Sequence, residues 1–235
     1  MPKIRREIIF AIITAGGCGK RMNHKEKKQF IQLQGRPVLF WTLDRFVQHP
    51  AITRCVVTLP PDELEQMNNR IQAEYPDSAI LCVAGGKQRQ DSVLCGLDAC
   101  DPATDIVLVH DGVRPFVSED TITRLIEAAR ETGAAIPVCP VKNTIKHLEN
   151  GWVAETVPRK NLVEVYTPQV FSYDLLYRLH KQALKDHRYF TDDAAILEYY
   201  RKPIITIETS DRNLKITRPF DLEIAAILLE KGSYK

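Results

Sequence analysis

The chain of 235 residues has no surplus of charge, since 32 lysines and arginines face 30 aspartates and glutamates for a net +2. Bulk attraction to nucleic acid or to a membrane surface is therefore not expected, and an anionic ligand has to be met by a local cluster of cations. Apolar runs of roughly 20 residues, the length that crosses a bilayer, are also missing. The run at 8–13 follows Lys3, Arg5 and Arg6 much as in a signal peptide, but it is short and meets glycines instead of a small-residue cleavage site. It reads as a core strand. Six cysteines, at positions 18, 55, 82, 95, 100 and 139, include no C-x-x-C pair and no accompanying histidine ladder, which argues against zinc or disulfide frameworks. Cys55, Cys82 and Cys139 lie in apolar, strand-like runs and are expected in the core of a cytoplasmic protein. Cys18 alone lies beside cations that could lower its pKa, although a tolerated small loop residue is the plainer reading.

What the chain does have follows the run at 8–13: Thr14, Ala15, Gly16, Gly17, Cys18, Gly19, Lys20, Arg21 and Met22, with Lys27 and Lys28 a few residues on. Three glycines in four positions let backbone N–H groups approach an anion without Cβ clashes and permit φ > 0, and the cations add charge where phosphates would lie. Two familiar phosphate motifs are excluded by the letters. A P-loop needs Ser or Thr after Gly-Lys, where this chain has Arg21; a dinucleotide fingerprint starting at Gly17 needs a glycine where it has Met22. A nucleotide-triphosphate cradle and a plain strand-to-helix turn remain.

Strand-like runs at 8–13, 55–59, 80–83, 106–109 and 134–138 alternate with helical spacing at 37–47, 62–74, 90–100 and 120–132. Such alternation implies an α/β domain, a mostly parallel sheet with helices on both faces that binds ligands beyond the carboxyl ends of its strands. Two further loops fall at strand ends. One is Gly85, Gly86, Lys87, Gln88, Arg89, Gln90, Asp91 and Ser92, suited to a nucleobase or phosphate, or simply a helix start capped by Asp91 and Ser92. The other is His110, Asp111, Gly112, Val113, Arg114 and Pro115. There Asp111 suits magnesium or a substrate hydroxyl and Arg114 a phosphate, unless the two only pair to shape the turn. Gly112 suits backbone approach to a ligand, and His110 is read as a packed side chain before a general base.

The alternation breaks after Pro140. Runs at 144–148 and 152–157 flank Glu149-Asn150-Gly151, a strong hairpin signal, and the resulting arm is expected to pack on another subunit. Arg159 and Lys160 follow it. Near the C-terminus, 211–218 reads as a short strand carrying Lys215, ahead of a helix opened by Pro219.

Taken together, Ala15 to Met22, Lys28-Gln29-Phe30, Gly85-Gly86 with Arg89 and Asp91-Ser92-Val93, His110 to Pro115, Thr167-Pro168-Gln169 and Asn213 to Pro219 resemble the 2-C-methyl-D-erythritol 4-phosphate cytidylyltransferase family in order and spacing over nearly the whole chain. The resemblance implies a single domain over 1–235 with a Rossmann-like nucleotidyltransferase fold, a dimerisation arm at about 140–171, and a homodimer. It further implies transfer of CMP from CTP to 2-C-methyl-D-erythritol 4-phosphate with Mg²⁺, releasing pyrophosphate. By the same resemblance Arg21 and Lys28 would stabilise the transition state, and Arg159 and Lys215 would position the attacking phosphate. Ala15, Gly16, Gly17 and Gly19 would hold the triphosphate, with Gly86, Ser92 and Asp111 also on the nucleotide. Asp111, Arg114 and Thr144 would bind the polyol phosphate, Thr144 and Arg159 reaching across from the partner. A D-ribitol 5-phosphate cytidylyltransferase shares much of this pattern, and a non-catalytic nucleotide-binding dimer could share the glycine loop. The joint presence of Arg21, Lys28, Arg159 and Lys215 favours an enzyme, because an anionic phosphate nucleophile needs charge screening and alignment more than a base.

Overall fold

The computed structural model describes residues 5–17 and 27–232. Its elements in chain order are β1 (Ile9–Thr14), a short pair β2 (Gln32–Leu33) and β3 (Arg36–Pro37), α1 (Val38–Val47), β4 (Arg54–Leu59), α2 (Leu64–Glu74), β5 (Ile80–Ala84), α3 (Arg89–Asp98), β6 (Ile106–Asp111), α4 (Glu119–Thr132), β7 (Ala134–Pro140), β8 (Ile145–Glu149), β9 (Trp152–Val157), β10 (Val163–Val165), β11 (Gln169–Ser172), α5 (Tyr173–Lys185), α6 (Asp193–Tyr199), β12 (Ile205–Glu208) and α7 (Pro219–Glu230). Side chains of β1 alternate between two cores. Ile9, Ala11 and Ile13 pack with Leu39, Leu43 and Phe46 of α1 and Leu125 of α4, whereas Phe10 and Ile12 pack with Val93 and Leu97 of α3 and Leu176 of α5. A strand buried on both faces belongs inside a sheet covered by helices on each side, and this is the architecture found.

The main sheet runs β10-β7-β11-β6-β1-β4-β5, with β12 also paired to β7. β1 pairs in parallel with β4 and β6, β4 with β5, and β7 with β12. Two strands depart from the parallel pattern: β11 is inserted antiparallel between β6 and β7, and β10 runs antiparallel to β7. Register puts Thr14 opposite both Thr58 and Asp111, so the carboxyl ends of β1, β4 and β6 lie side by side. Local chemistry sets the helix ends. Ser118 Oγ accepts from Thr121 N–H at the start of α4, and Gly133, at φ +82°, closes that helix and turns the chain directly into β7.

The hairpin β8–β9 forms its own two-stranded sheet, and Asn150 and Gly151 take the positive φ values of +49° and +86° that a tight hairpin turn requires. It occupies the middle of the span 140–171 proposed for the arm, and the chain rejoins the main sheet at β10 and β11. The strand expected at 211–218 does not form. That segment is tied in by the Ile216 N–H to Val113 O bond at 2.9 Å, but no ladder develops, so Lys215 sits on an irregular stretch held by contacts with the β6 loop. Cys55 and Cys139 are core residues as expected, and Cys82 is half-buried. Burial pushes the Cys55 thiol up to about 12. Cys18 lies outside the described residues.

Candidate functional site

Three loops meet where the register predicts. Ala15 N–H donates to Thr58 O at 2.9 Å, Gly85 N–H to Leu59 O at 2.7 Å and Gly112 N–H to Thr14 O at 2.9 Å, which binds the exits of β1, β5 and β6 into one rim. The cleft above it is lined by Ala15, Gly16, Gly17, Lys28, Gln29, Gly86, Lys87, Gln88, Arg89, Ser92, Asp111 and Lys215. Arg21 and Gly19, assigned to the triphosphate on sequence grounds, lie outside the described residues, as does Lys20. Of the two neighbouring lysines, Lys28 lines the cleft. Lys27 is drawn to α2's approach, with Nζ 2.6 Å from Asp62 and 3.6 Å from Glu63.

Gly16 and Gly86 act through clearance instead of unusual dihedrals, while a Cβ on Gly17 would meet nothing within 4 Å. Gly16 and Gly17 are absent from the positive-φ residues, contrary to the conformational argument made for them. A Cβ on Gly16 would stand 3.3 Å from Ser92 Oγ, and one on Gly86 would stand 2.2 Å from Asp91 Cβ, so the close approach of α3's first turn requires glycine there. Gly112, expected to admit a ligand, instead packs against protein: its Cβ would meet Leu39 Cδ1 and Thr14 O at 3.1 Å each. Asp91 and Ser92 do serve the helix start. Asp91 Oδ2 accepts from Gln88 N–H at 3.0 Å, and Ser92 Oγ accepts from Gly86 N–H and donates to Gln88 O, both at 3.1 Å. That bonding leaves Ser92 on the cleft wall.

Asp111 is the electrostatic centre. Its Oδ2 receives Lys215 Nζ at 2.8 Å and Arg114 Nε at 3.1 Å, and its Oδ1 stands 3.5 Å from Arg89 Nε. Burial alone would raise its pKa, but Lys215, Arg89 and Arg114 outweigh it and hold the carboxyl well below the usual range. Arg114 is buried, donates to Asn213 O at 2.9 Å and lies over the Tyr166 ring at 5.1 Å, which fixes the cation chosen for the polyol phosphate. The pairing of Asp111 with Arg114 thus shapes the turn and builds the site at once.

His110 has no catalytic opening. It is fully buried against Phe46, with ring centroids 4.7 Å apart. Its Nε2–H donates to Arg114 O at 3.0 Å, leaving Nδ1 to accept from Thr167 Oγ at 3.0 Å, and Thr167 Oγ in turn accepts from Asp111 N–H at 3.3 Å. Burial pushes His110 down to about 3, so the ring stays neutral and structural.

Thr144 and Arg159 are exposed at the base of the hairpin and do not line this chain's cleft; Arg159 donates to Lys142 O. Three residues were missed as individuals by sequence reasoning. Gln29 is buried and donates to Ala15 O at 2.5 Å, bracing the glycine loop from below. Arg89 joins Asp111 to a second carboxylate, Asp193, at 2.7 Å. In sequence, Asp192-Asp193 before an apolar stretch looks like an ordinary helix cap, and Asp192 is one, accepting from Ala195 N–H at 3.0 Å.

Comparison with known proteins gives consistent matches. A family model described as 2-C-methyl-D-erythritol 4-phosphate cytidylyltransferase matches residues 9–231. Proteins of that name from Clostridium novyi and Halalkalibacterium halodurans are 41% and 42% identical, each aligned over 94% of this chain and 96% of the relative. Among solved structures, a 4-diphosphocytidyl-2C-methyl-D-erythritol synthase from Anaerococcus prevotii superposes with TM-score 0.84 at 32% identity, covering 95% of this chain and 99% of the other. The Thermus thermophilus 2-C-methyl-D-erythritol 4-phosphate cytidylyltransferase does so with TM-score 0.78 at 35% identity, covering 95% and 99%.

Proposed function

The chain belongs to the 2-C-methyl-D-erythritol 4-phosphate cytidylyltransferase family, and from this premise we propose how its residues carry out the reaction. The enzyme transfers CMP from CTP to 2-C-methyl-D-erythritol 4-phosphate, giving 4-diphosphocytidyl-2-C-methyl-D-erythritol and pyrophosphate, a step toward isoprenoid precursors. Relatives of that name across nearly the whole chain favour this substrate over D-ribitol 5-phosphate and favour an enzyme over a non-catalytic nucleotide-binding dimer.

One observation carries the assignment of roles: a glycine-rimmed cleft and a set of cations gathered on Asp111 share the same sheet edge. CTP lies with its triphosphate against Ala15, Gly16 and Gly17, with Gly19 given the same role, and with its cytidine against Gly86 and Ser92. A phosphate oxygen of the polyol phosphate attacks the α-phosphorus, the bond to the β-phosphate's bridging oxygen breaks, and pyrophosphate leaves. Arg21 and Lys28 screen the charge that builds on the triphosphate, while Lys215 and Arg159 align the incoming phosphate, with Asp111, Arg114 and Thr144 on the rest of that substrate. A Mg²⁺ ion bound with CTP would supply charge neutralisation and orientation of the triphosphate. Asp111 is the cleft carboxylate that would take part in holding it, yet both its oxygens already face cations, so most of the ligands would come from the triphosphate.

Thr144 and Arg159 act in a partner's cleft, which makes the enzyme a homodimer joined through the arm. Trp152, 80% exposed, on one face of β8–β9, and the exposed cross-strand pair Leu148 and Val153 on the other, support that reading by leaving apolar side chains uncovered on the hairpin. A cytoplasmic location without nucleic-acid or membrane partners fits the balanced charge and the five unpaired cysteines described. No described helix is long and apolar enough to cross a membrane.

The test is pyrophosphate release by purified protein with Mg²⁺ and CTP, with methylerythritol phosphate and ribitol phosphate supplied side by side. Release is expected with the first. Release with ribitol phosphate alone would reassign the substrate, and release with neither would overturn the reading.

A further inference from the structure

Arg89 opens α3 at the cleft, with 28% of its side chain accessible, and faces two carboxylates. Its Nη1–H donates to Asp193 Oδ2 at 2.7 Å, while its Nε stands 3.5 Å from Asp111 Oδ1. Asp193 is 1% exposed and held from every side. Its Oδ1 accepts from Nε2 of the buried His180 at 3.1 Å, and its backbone N–H donates to Gln169 Oε1 at 3.1 Å. Such a buried ionic arrangement adds little to stability, since well-packed apolar residues usually do as well. Capping does not account for it either, because Asp192 already caps α6.

We propose that Asp193 is a positioning residue for nucleotidyl transfer: by holding the guanidinium of Arg89 it stops Arg89 from closing on Asp111 beyond the present 3.5 Å, and so leaves the Asp111 carboxylate free to fix Lys215 at shorter range. The proposal rests on the role given above to Lys215. Asp111 holds Lys215 at 2.8 Å and Arg114 at 3.1 Å, both closer than Arg89. Without the charge on Asp193, Arg89 would still feel Asp192, but that carboxylate is engaged by Gln169 Nε2 and Ala195 N–H, so Asp111 would be the ion-pair partner left to Arg89, and the attraction grows as the gap closes. Arg89 would move onto Asp111 Oδ1, share its charge, and loosen Lys215. The sign of the effect separates positioning from simple electrostatics, for removing a negative charge beside an anion site would otherwise tighten phosphate binding.

The experiment compares initial rates of pyrophosphate release by the wild-type enzyme, Asp193→Asn, Arg89→Gln and the double variant, each checked for folding by thermal melt. Asp193→Asn should lower kcat/KM for methylerythritol phosphate about tenfold while KM for CTP stays within about threefold. In the Arg89→Gln background the same change should cost less than about twofold, because the group being restrained is gone. The double variant removes both charges of the buried pair together, so if Asp193→Asn alone is too unstable to assay, its comparison with Arg89→Gln carries the test. Unchanged or raised kcat/KM in Asp193→Asn, or a further large loss in the double variant, would overturn the proposal and leave the reaction assignment standing. Wild-type protein without turnover would overturn both.

Discussion

Replacing Asp111 with asparagine keeps the shape of the side chain and removes the charge on which Lys215, Arg114 and Arg89 converge at 2.8, 3.1 and 3.5 Å. Leaving a buried charge without its partner costs about 3–5 kcal/mol. The lower end applies, because the side chains of Lys215 and Arg89 remain 36% and 28% accessible and water can take up part of the loss, whereas Arg114 at 10% cannot be rescued in that way. A loss of about 3 kcal/mol in a domain of this size corresponds to a fall in Tm of about 6–12 °C. Catalysis should suffer more, since Lys215 then has no fixed seat, and kcat/KM should fall by about a hundredfold or more, equivalent to about 2.7 kcal/mol of transition-state stabilisation.

The pH dependence adds a second readout for the same variant. Because the folded Asp111 carboxyl lies well below its ordinary value, the unfolded chain takes up the proton first as the pH falls. Its contribution is complete above about pH 4 and disappears only as the pH drops through the lower folded value. The stability difference between wild type and Asp111→Asn should therefore be flat from about pH 5 to 8 and shrink below about pH 4. Differential scanning fluorimetry across that range and a coupled pyrophosphate assay measure both effects. A folded Asp111→Asn with Tm within about 2 °C of wild type and near-normal kcat/KM would refute the idea that this carboxylate pins the cations.

Other expectations follow from the same geometry. Arg21→Ala should lower turnover by orders of magnitude with the melt unchanged, and near-normal rates in a folded variant would remove its assigned role. His110 is neutral when folded and takes up a proton when unfolded below its ordinary pKa of about 6.5, so its burial favours the fold fully above that pH and progressively less toward pH 3. Denaturant titrations should accordingly show wild type losing about 2 kcal/mol more than His110→Gln between pH 8 and pH 5, and equal losses would contradict the neutral ring. Trp152→Ser should shift sedimentation toward monomer and lower activity together; wild-type protein that is monomeric at assay concentration would count against a shared site.

How much of this was legible in the letters depends on the range of the forces involved. The run at 8–13 announces a strand covered on both faces because nearly every residue in it is apolar, and Asn150-Gly151 announces a turn because few other pairs accept two positive φ values. β11 gave no such signal. It is four residues long, begins with the buried Gln169, and owes its place to pairing with β6 and β7, which lie far from it in sequence. Leu214-Lys215-Ile216 alternates as a strand would, yet finds only the curved β6 loop beside it, so one backbone bond forms and no ladder follows. For Gly16 and Gly17 the positive φ expected of them is absent, and what Gly86 supplies is room for Asp91, a contact the sequence does not reveal.

The charges show the same division. Asp111, Arg114 and Lys215 could each be picked out as site residues and Arg89 only as part of a loop, but their order of engagement could not, because it depends on differences of less than 1 Å among groups drawn from three segments of the chain. Those differences decide the chemistry. Three cations brought together without Asp111 would repel one another and scatter; with both oxygens of Asp111 fully committed, they are held close while the described cleft, Lys28 included, stays net positive. An incoming phosphate can then be attracted by charges that do not have to reorganise, which is the condition under which electrostatic stabilisation of a transition state is largest. A carboxylate in an anion site thus acts in favour of anion binding, provided a second carboxylate such as Asp193 restrains the cation that would otherwise crowd it.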